Sequence, residues 1–190
     1  MVAADVRERI LEATYACVAR WGLAKTTVED VAREARLSRA TIYRYFGGGR
    51  DELIRATISW EVNRFFLRLR DAVAGAATFA ELLEEALLFA HRAVEEHEVL
   101  HRILQTEPGT LLPQLSVDSE RVREYVAAFL LASVPASELP AGVAPEALAD
   151  YVSRMLLSFI GSPGRWDLTD RAQVRQLVQT ELLAALASVR

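Results

Sequence analysis

The segment from residue 36 to residue 50 carries side chains suited to binding a polyanion. It contains four arginines and two tyrosines but no aspartate or glutamate, which gives it a net charge of +4. Arginine binds phosphate oxygens and the edge of guanine through paired hydrogen bonds, and tyrosine hydroxyls also bind phosphate. The sequence therefore indicates a surface that contacts nucleic acid.

This positive charge is concentrated near the N-terminus of an acidic protein. The chain has a net charge of −4, yet residues 1–55 hold ten Lys and Arg residues against eight acids, a net charge of +2. The remainder holds 12 of the 22 basic residues and 18 of the 26 acidic residues, a net charge of −6. A basic N-terminal part, residues 1–55, here called the head, followed by an acidic remainder indicates one face directed at a polyanion.

Two short helices joined by a turn are predicted to position these side chains. Thr26 and Thr27 are candidate caps for a helix that begins at Val28, with Glu29 and Asp30 in its electropositive first turn. Its apolar face would consist of Val28, Val31, Ala32 and Ala35. This order of cap, acidic turn and apolar stripe predicts the first helix of a pair.

The second helix is predicted from Ala40 to Phe46, with Ser38 as its N-cap and Ile42 turned inward. A first helix of about eight residues, a short turn and a second short helix are typical of a helix-turn-helix, whose second helix enters the major groove of DNA. We predict that Arg39 pairs with a guanine and that Ala40 and Thr41 contact a thymine methyl group. The residues predicted to position phosphates are Thr27, Ser38, Tyr43, Arg44, Tyr45 and Arg50. The alternative is a helical hairpin with a solvated basic face.

Residues 27–53 resemble the TetR family of bacterial transcriptional regulators. Members of that family typically carry the pattern TxxxIAxxAGxSxxTxYxxFxxKxxL, and the corresponding residues here are TVEDVAREARLSRATIYRYFGGGRDEL. The resemblance is densest from about Asp5 to Leu53. Two features depart from the pattern. Arg36 occupies a turn position that is usually glycine, where a positive φ would cost about 1 kcal/mol. Glycines 47–49 lengthen the next loop by one residue, and Arg50 stands where a lysine usually meets phosphate.

The resemblance implies a helix-turn-helix DNA-binding domain in residues 1–50 and a helical effector-binding and dimerisation domain in residues 51–190. It also implies a small-molecule effector that opposes DNA binding. The candidate lining residues are Trp60, Phe65, Phe66, His91, Phe129, Met155 and Phe159, which favour an apolar or aromatic effector. Each also suits an ordinary helical core, because aromatic and Met residues at helical spacing usually pack on one another.

Helical periodicity predicts an all-α fold of about nine helices, and nothing in the sequence favours strands. Beside the pair described above, helices are predicted at about 5–21, 51–74, from the Thr78 cap onward, 98–106, 118–133, from Pro145 onward, and from the Thr169 cap to about 189. The last two helices are apolar over a wide arc and need packing partners on two sides. With the family resemblance, this predicts a homodimer through those helices that binds an inverted-repeat operator in double-stranded DNA. A monomeric core is the alternative.

Length, hydrophobic runs and cysteine content limit the domain number and the cellular location that the sequence predicts. The 190 residues suit one compact domain or two small ones, and neither an export signal nor a membrane span is predicted. A single cysteine suits the reducing cytoplasm, and Cys17 is predicted to be a buried core residue. We predict a cytoplasmic regulator that needs no cofactor.

One motif points to another class of protein. Residues 97–101 spell HExxH, which on a helix places two imidazoles on one face for zinc, and Glu120 is a candidate third ligand. His97, however, lies where one helix is predicted to end and the next to begin, and Pro108 interrupts the chain before Glu120. We predict ordinary surface or pocket histidines rather than a metal site, and keep a zinc-dependent hydrolase as the alternative function.

Overall fold

A computed structural model describes residues 2–107, 123–124, 126–129, 131–132 and 144–184, and they contain helices but no strand. The helices are α1 Val2–Trp21, α2 Val28–Glu34, α3 Arg39–Tyr45, α4 Gly49–Val73, α5 Phe79–Glu95, α6 Glu98–Thr106, α7 Pro145–Gly161 and α8 Arg171–Leu177, and α8 continues as a π-helical turn over Val178–Leu183. The described residues within 123–132 are also helical. The all-α fold with an N-terminal three-helix head is confirmed, whereas the ends of the predicted helix 118–133 lie outside the described residues.

Side-chain caps explain where several helices begin. The Thr27, Ser38 and Thr78 side chains each accept a hydrogen bond from the backbone amide three residues later, as the sequence predicted. The cap of α8 differs from the prediction, because Asp170 accepts from the amide of Ala172. The hydroxyl of Thr169 instead donates to Asp167.

The chain divides into two compact units, and helix α4 contributes to both. Among the described residues, those within 1–65 and 97–118 form the first unit, and those within 66–96 and 119–190 form the second. Residues 97–107, which contain α6, therefore pack with the N-terminal head although they follow α5 in sequence. None of the described helices is both long and apolar enough to cross a membrane.

The head is built around one apolar cluster shared by α1, α2, α3 and the start of α4. Its fully buried members include Ile10, Val31, Ile42 and Leu53, and Cys17 lies among them. The full cluster is Ile10, Leu11, Ala13, Cys17, Val28, Val31, Ala32, Ala35, Ile42, Phe46 and Leu53. Burial of these side chains fixes how α2 and α3 cross, and so fixes which of their residues face outward.

A second cluster in the same unit joins α6 to the end of α1. Val18, Leu23, Ile54 and Ile103 are its buried members. Beside it, the Arg102 guanidinium donates to the carbonyl of Ala19, and the Glu107 carboxylate accepts from the Ala24 amide at 2.7 Å. Glu107, which follows α6, therefore holds the loop between α1 and α2 at Ala24, and Arg102 binds the end of α1, each across a separation of 83 residues in sequence.

In the second unit, α5 packs against α7 and α8. Two arginines one helical turn apart on α8 bind neighbouring carboxylates of α5, Arg175 to the buried Glu84 at 3.2 Å and Arg171 to Glu85. The hydrogen bond from Arg171 lowers the pKa of Glu85. Both ion pairs fix the register of α8 on α5.

Within this unit, the two C-terminal helices differ in how far their apolar arcs extend. On α8 and its π-helical continuation, the buried stripe is Val174, Leu177, Val178 and Leu182, and Leu183 is half-buried. The exposed residues are Arg171, Ala172, Arg175, Gln176, Gln179, Thr180 and Ala184. On α7, Tyr151, Met155, Phe159 and Ile160 remain half-buried beside the fully buried residues. The wide arc predicted for both helices is therefore present on α7, whereas Leu186 and Val189 of the predicted last helix lie outside the described residues.

Candidate nucleic-acid interface

The turn between α2 and α3 depends on one left-handed residue. Arg36 has a φ of +54°, and the amide of Leu37 reaches back to the carbonyl of Ala32 at 2.9 Å. This bond satisfies a carbonyl at the end of α2, and the chain then extends to Ser38. The positive φ anticipated at this position from the missing glycine is thus present.

Helix α3 has one buried face and one exposed face. Ile42 and Phe46 are at most 1% exposed in the head cluster, whereas Tyr43 is 50% exposed. The exposed residues of α3 are Arg39, Ala40, Tyr43 and Arg44, and Thr41 and Tyr45 are half-buried. The predicted inward and outward sides of the helix are therefore observed, apart from the partial burial of Thr41 and of Tyr45, the second of which packs against the head cluster.

Two of the predicted phosphate-binding hydroxyls are already used in capping. Thr27 donates to the carboxylate of Asp30 at 2.6 Å while accepting from the Asp30 amide. The Ser38 hydroxyl accepts from the Thr41 amide at 3.1 Å and lies 2.9 Å from the Thr41 hydroxyl. The contacts of these two hydroxyls with phosphate stay predictions. Each hydroxyl would have to bind phosphate while it still caps its helix.

The guanidinium of Arg39 forms an ion pair that connects α3 to α2. Its Nη1 donates to Oε1 of Glu29, and this hydrogen bond lowers the pKa of the Glu29 carboxyl and raises that of Arg39. Both side chains are more than half exposed. The sequence alone does not indicate this partner, because in the sequence Glu29 is only a favourable charge at the start of α2.

Arg50 points toward the loop between α1 and α2. Its Nε donates to the Thr26 carbonyl at 2.9 Å, Nη2 donates to the Leu23 carbonyl, and Nη1 pairs with Asp51 at 3.1 Å. All three nitrogens of the guanidinium thus have partners inside the head. The predicted phosphate contact of Arg50 requires it to share or leave these partners.

Among glycines 47–49, one position has a left-handed backbone that favours glycine. Gly49 has a φ of +66°, and a Cβ built there would lie 3.4 Å from Cε1 of Tyr43. That distance is an ordinary contact, so the left-handed backbone rather than crowding requires glycine. The backbone of Gly49 therefore adjoins the exposed ring of Tyr43.

The residues predicted to line an effector site are distributed over both units. Trp60 packs against the head cluster, and the Arg64 guanidinium lies 4.6 Å from the centre of its ring. Phe66 is buried, and the half-buried residues are Phe65, His91, Phe129, Met155 and Phe159. Trp60 therefore has a packing role in the head, and effector binding by this set stays a prediction.

The HExxH motif does not form the helical arrangement that binds zinc. His97 is the N-cap residue of α6, and its Nδ1 accepts from the Leu100 amide at 3.1 Å. Its ring also lies edge-on to Tyr15, with the ring centres 6.3 Å apart. In the part of the chain that the structure describes, no group of three His, Cys, Asp or Glu residues is placed to hold a metal ion. Glu120 lies outside that part.

The head thus has the architecture of a helix-turn-helix DNA-binding domain, with a recognition helix whose arginine, alanine and tyrosine side chains are exposed. Comparison with known proteins agrees. Residues 10–57 match the family model described as bacterial regulatory proteins, tetR family. By this match the head is similar to the DNA-binding domain of TetR-family transcriptional regulators.

Two relatives and one solved structure illustrate the similarity. An uncharacterized HTH-type transcriptional regulator of Mycobacterium tuberculosis is 29% identical over 183 residues, which cover 96% of this chain and 88% of the relative. The HTH-type transcriptional repressor KstR2 of the same organism is 33% identical over 111 residues, 57% of this chain and 54% of the repressor. The transcriptional regulator FadR from Bacillus subtilis has a TM-score of 0.57 at 16% identity, with 91% of this chain and 97% of that chain covered. All three proteins are named as transcriptional regulators or repressors.

Proposed function

We propose that the protein is a homodimeric cytoplasmic repressor that binds an inverted-repeat operator and is released from it by a small apolar or aromatic effector. The observation that carries the proposal is the exposed N-terminal face of α3, where Arg39 and Ala40 stand beside Thr41 and Tyr43 on a buried framework. Base edges in the major groove are read by side chains at this place in a helix-turn-helix.

The apolar flank of α7 supports the homodimer. Tyr151, Met155 and Phe159 are only half-buried within one chain, so association would remove further apolar area from water. A twofold dimer carries two heads related by the same axis, and this symmetry matches an inverted repeat. In this proposal the dimer forms through the last two helices, α7 and α8, and the half-buried apolar residues of α7 are its best-supported part.

An effector acts in this scheme by differential binding. A ligand that binds the DNA-incompetent arrangement of the heads more tightly lowers DNA affinity, and DNA lowers ligand affinity by the same factor. An apolar ligand is supported by the aromatic candidates on α4 and α7 and by the FadR of similar fold, whose structure contains stearoyl-CoA. Aromatic compounds and long-chain acyl thioesters that raise the melting temperature of the protein should therefore also release DNA.

Selection of bound sequences from random duplex DNA tests the proposal directly. We expect enrichment of an inverted repeat whose half-sites lie roughly 34 to 36 Å apart, or a multiple of that distance. Enrichment of a single unrepeated site would contradict the dimeric part of the proposal. Absence of any enrichment would contradict sequence-specific DNA binding itself.

Replacing the predicted base-reading arginine provides a second test. Arg39→Ala should relax the preference at one position of each half-site, at a cost of about 1 to 3 kcal/mol there. Binding constants for the selected duplex and its single-base variants measure this change. An equal loss on every sequence would instead make Arg39 a phosphate contact.

A further inference from the structure

The ion pair between Glu29 and Arg39 connects the two helices of the helix-turn-helix on its exposed side. We propose that Glu29 is a positioning residue that holds the Arg39 guanidinium in place for reading a base, and that it thereby sets the base preference of the protein. This inference rests on the proposed function, because it requires Arg39 to contact a base.

The location of the pair favours a role in binding over a role in folding. Arg39 is the first residue of α3, and Glu29 is the second residue of α2. Their side chains are 65% and 52% exposed, and ion pairs with such exposure contribute little to stability. The effect of the pair therefore falls on the orientation of the arginine rather than on the packing of the head.

The other acids of α2 are engaged elsewhere. Asp30 closes the capping box with Thr27, and Glu34 pairs with Arg20 of α1 at 3.2 Å. Among the three acidic residues of this helix, Glu29 is the one whose described ion pair reaches α3. This division supplies a matched control, since Glu34 has the same chemistry on the same helix.

The chemistry of the guanidinium lets one arginine bind the carboxylate and a base together. The contact with Glu29 uses Nη1, and the Nε and Nη2 donors of Arg39 are directed along another edge of the same planar group. That edge matches the two acceptors of guanine. Because the carboxylate already restricts the arginine in the free protein, less conformational freedom is lost when Arg39 meets the base.

The negative charge of Glu29 has a second consequence for specificity. A carboxylate beside the groove repels phosphates of any duplex, whatever the sequence. A weaker sequence-independent attraction and a better-ordered arginine both increase the ratio of specific to non-specific affinity. Glu29 should therefore lower affinity for random DNA while it increases discrimination.

The test compares Glu29→Gln and Glu29→Ala with the control Glu34→Gln. Fluorescence anisotropy at one fixed salt concentration would give dissociation constants for the duplex selected by the wild type, for the same duplex with the Arg39-dependent guanine replaced, and for a random duplex. We expect the Glu29 variants to lose up to about fivefold in their preference for the selected duplex over the duplex with the guanine replaced, while binding random DNA at least as tightly. Glu34→Gln should change all three constants by a similar factor.

A double variant separates positioning from a simple change of charge. In an Arg39→Ala background, Glu29→Ala should cause no further loss of discrimination, because the arginine that it positions is gone. Unchanged discrimination in both Glu29 variants, or a full additional loss in the Arg39→Ala background, would overturn the positioning role while leaving the proposed function intact. A wild type without any sequence preference would overturn both.

Discussion

At the scale of single residues, Arg36 has an energetic cost that can be measured. It is the one non-glycine residue with a positive φ in the part of the chain that the structure describes. Arg36→Gly removes the Cβ that disfavours this backbone, so the variant should be about 1 kcal/mol more stable than Arg36→Ala, which keeps the Cβ. Urea unfolding of the two variants measures the difference, and equal stabilities would mean that the turn tolerates a side chain without strain.

Cys17 gives a second prediction at this scale. Its side chain is fully buried, and burial, assisted by the nearby Glu34 and Asp30, raises the thiol pKa from 9.0 to about 11. The native state therefore keeps its proton between these values, while the unfolded state releases it. Unfolding then becomes easier as the pH rises from 9 to 11, by up to about 3 kcal/mol.

The control for this prediction is Cys17→Ala, which cannot titrate. The wild type should lose more stability than Cys17→Ala between pH 9 and pH 11 in urea unfolding, even if the variant is less stable at neutral pH. Parallel curves would show that the buried thiol ionises as readily in the folded protein as in the unfolded chain.

Individual residues also show what a sequence does and does not reveal. The left-handed turn at Arg36 was foreseeable because the rule is local and the position is usually glycine. The pairing of Glu29 with Arg39 was not, since it depends on the angle at which α2 crosses α3, and that angle is set by burial of the head cluster. The caps at Thr27 and Ser38 were predictable for the same reason of locality.

At the scale of elements, the loop between α1 and α2 has a structural anchor in Arg50. Arg50→Ala removes the donors to the Leu23 and Thr26 carbonyls, so we expect a loss of about 1 to 2 kcal/mol in the free energy of unfolding. Arg55→Ala, on the exposed side of the same helix, is the control. Retention of full stability would mean that the loop does not depend on this side chain.

The same variant decides whether Arg50 also meets phosphate. A phosphate contact predicts a shallower dependence of DNA affinity on salt in Arg50→Ala than in the wild type. A lower stability with an unchanged salt slope would make Arg50 an anchor of the loop alone. The sequence suggested only the phosphate role, because the loop carbonyls lie more than twenty residues away along the chain.

At the scale of the whole molecule, the half-buried apolar flank of α7 gives a test of assembly. Met155→Glu places a charge on that flank and should shift the protein from dimer to monomer in sedimentation, with weaker binding to the inverted repeat. Leu67→Glu makes the same kind of change at an exposed position of α4 and should leave the dimer intact. A dimer that survives Met155→Glu would move the interface away from this part of α7.

The positions of the helices along the chain were more predictable than the contacts between them. Helical periodicity predicted α6 at its observed bounds, and the preference of proline for the first turn of a helix predicted the start of α7 at Pro145, since both signals lie within the segment itself. The π-helical turn at Val178–Leu183 was not predicted, because the apolar spacing there resembles that of an ordinary helix. The packing of α6 with the head was also missed, because contacts such as Glu107 with Ala24 leave no local pattern.

That last contact bears on how the chain acquires its structure during synthesis. The apolar cluster of the head is complete once residue 53 has left the ribosome, and Arg50 can then bind the Leu23 and Thr26 carbonyls. The Ala24 amide, however, acquires its carboxylate partner only after Glu107 has been synthesised. About fifty residues must therefore be translated between formation of the core and formation of the Ala24–Glu107 hydrogen bond, and at roughly 5 to 20 residues per second this takes several seconds. A fragment that ends after α3 lacks Glu107 and therefore never forms this hydrogen bond. A shortened form of the first unit that keeps this contact must also include residues 97–107, so it is discontinuous in sequence.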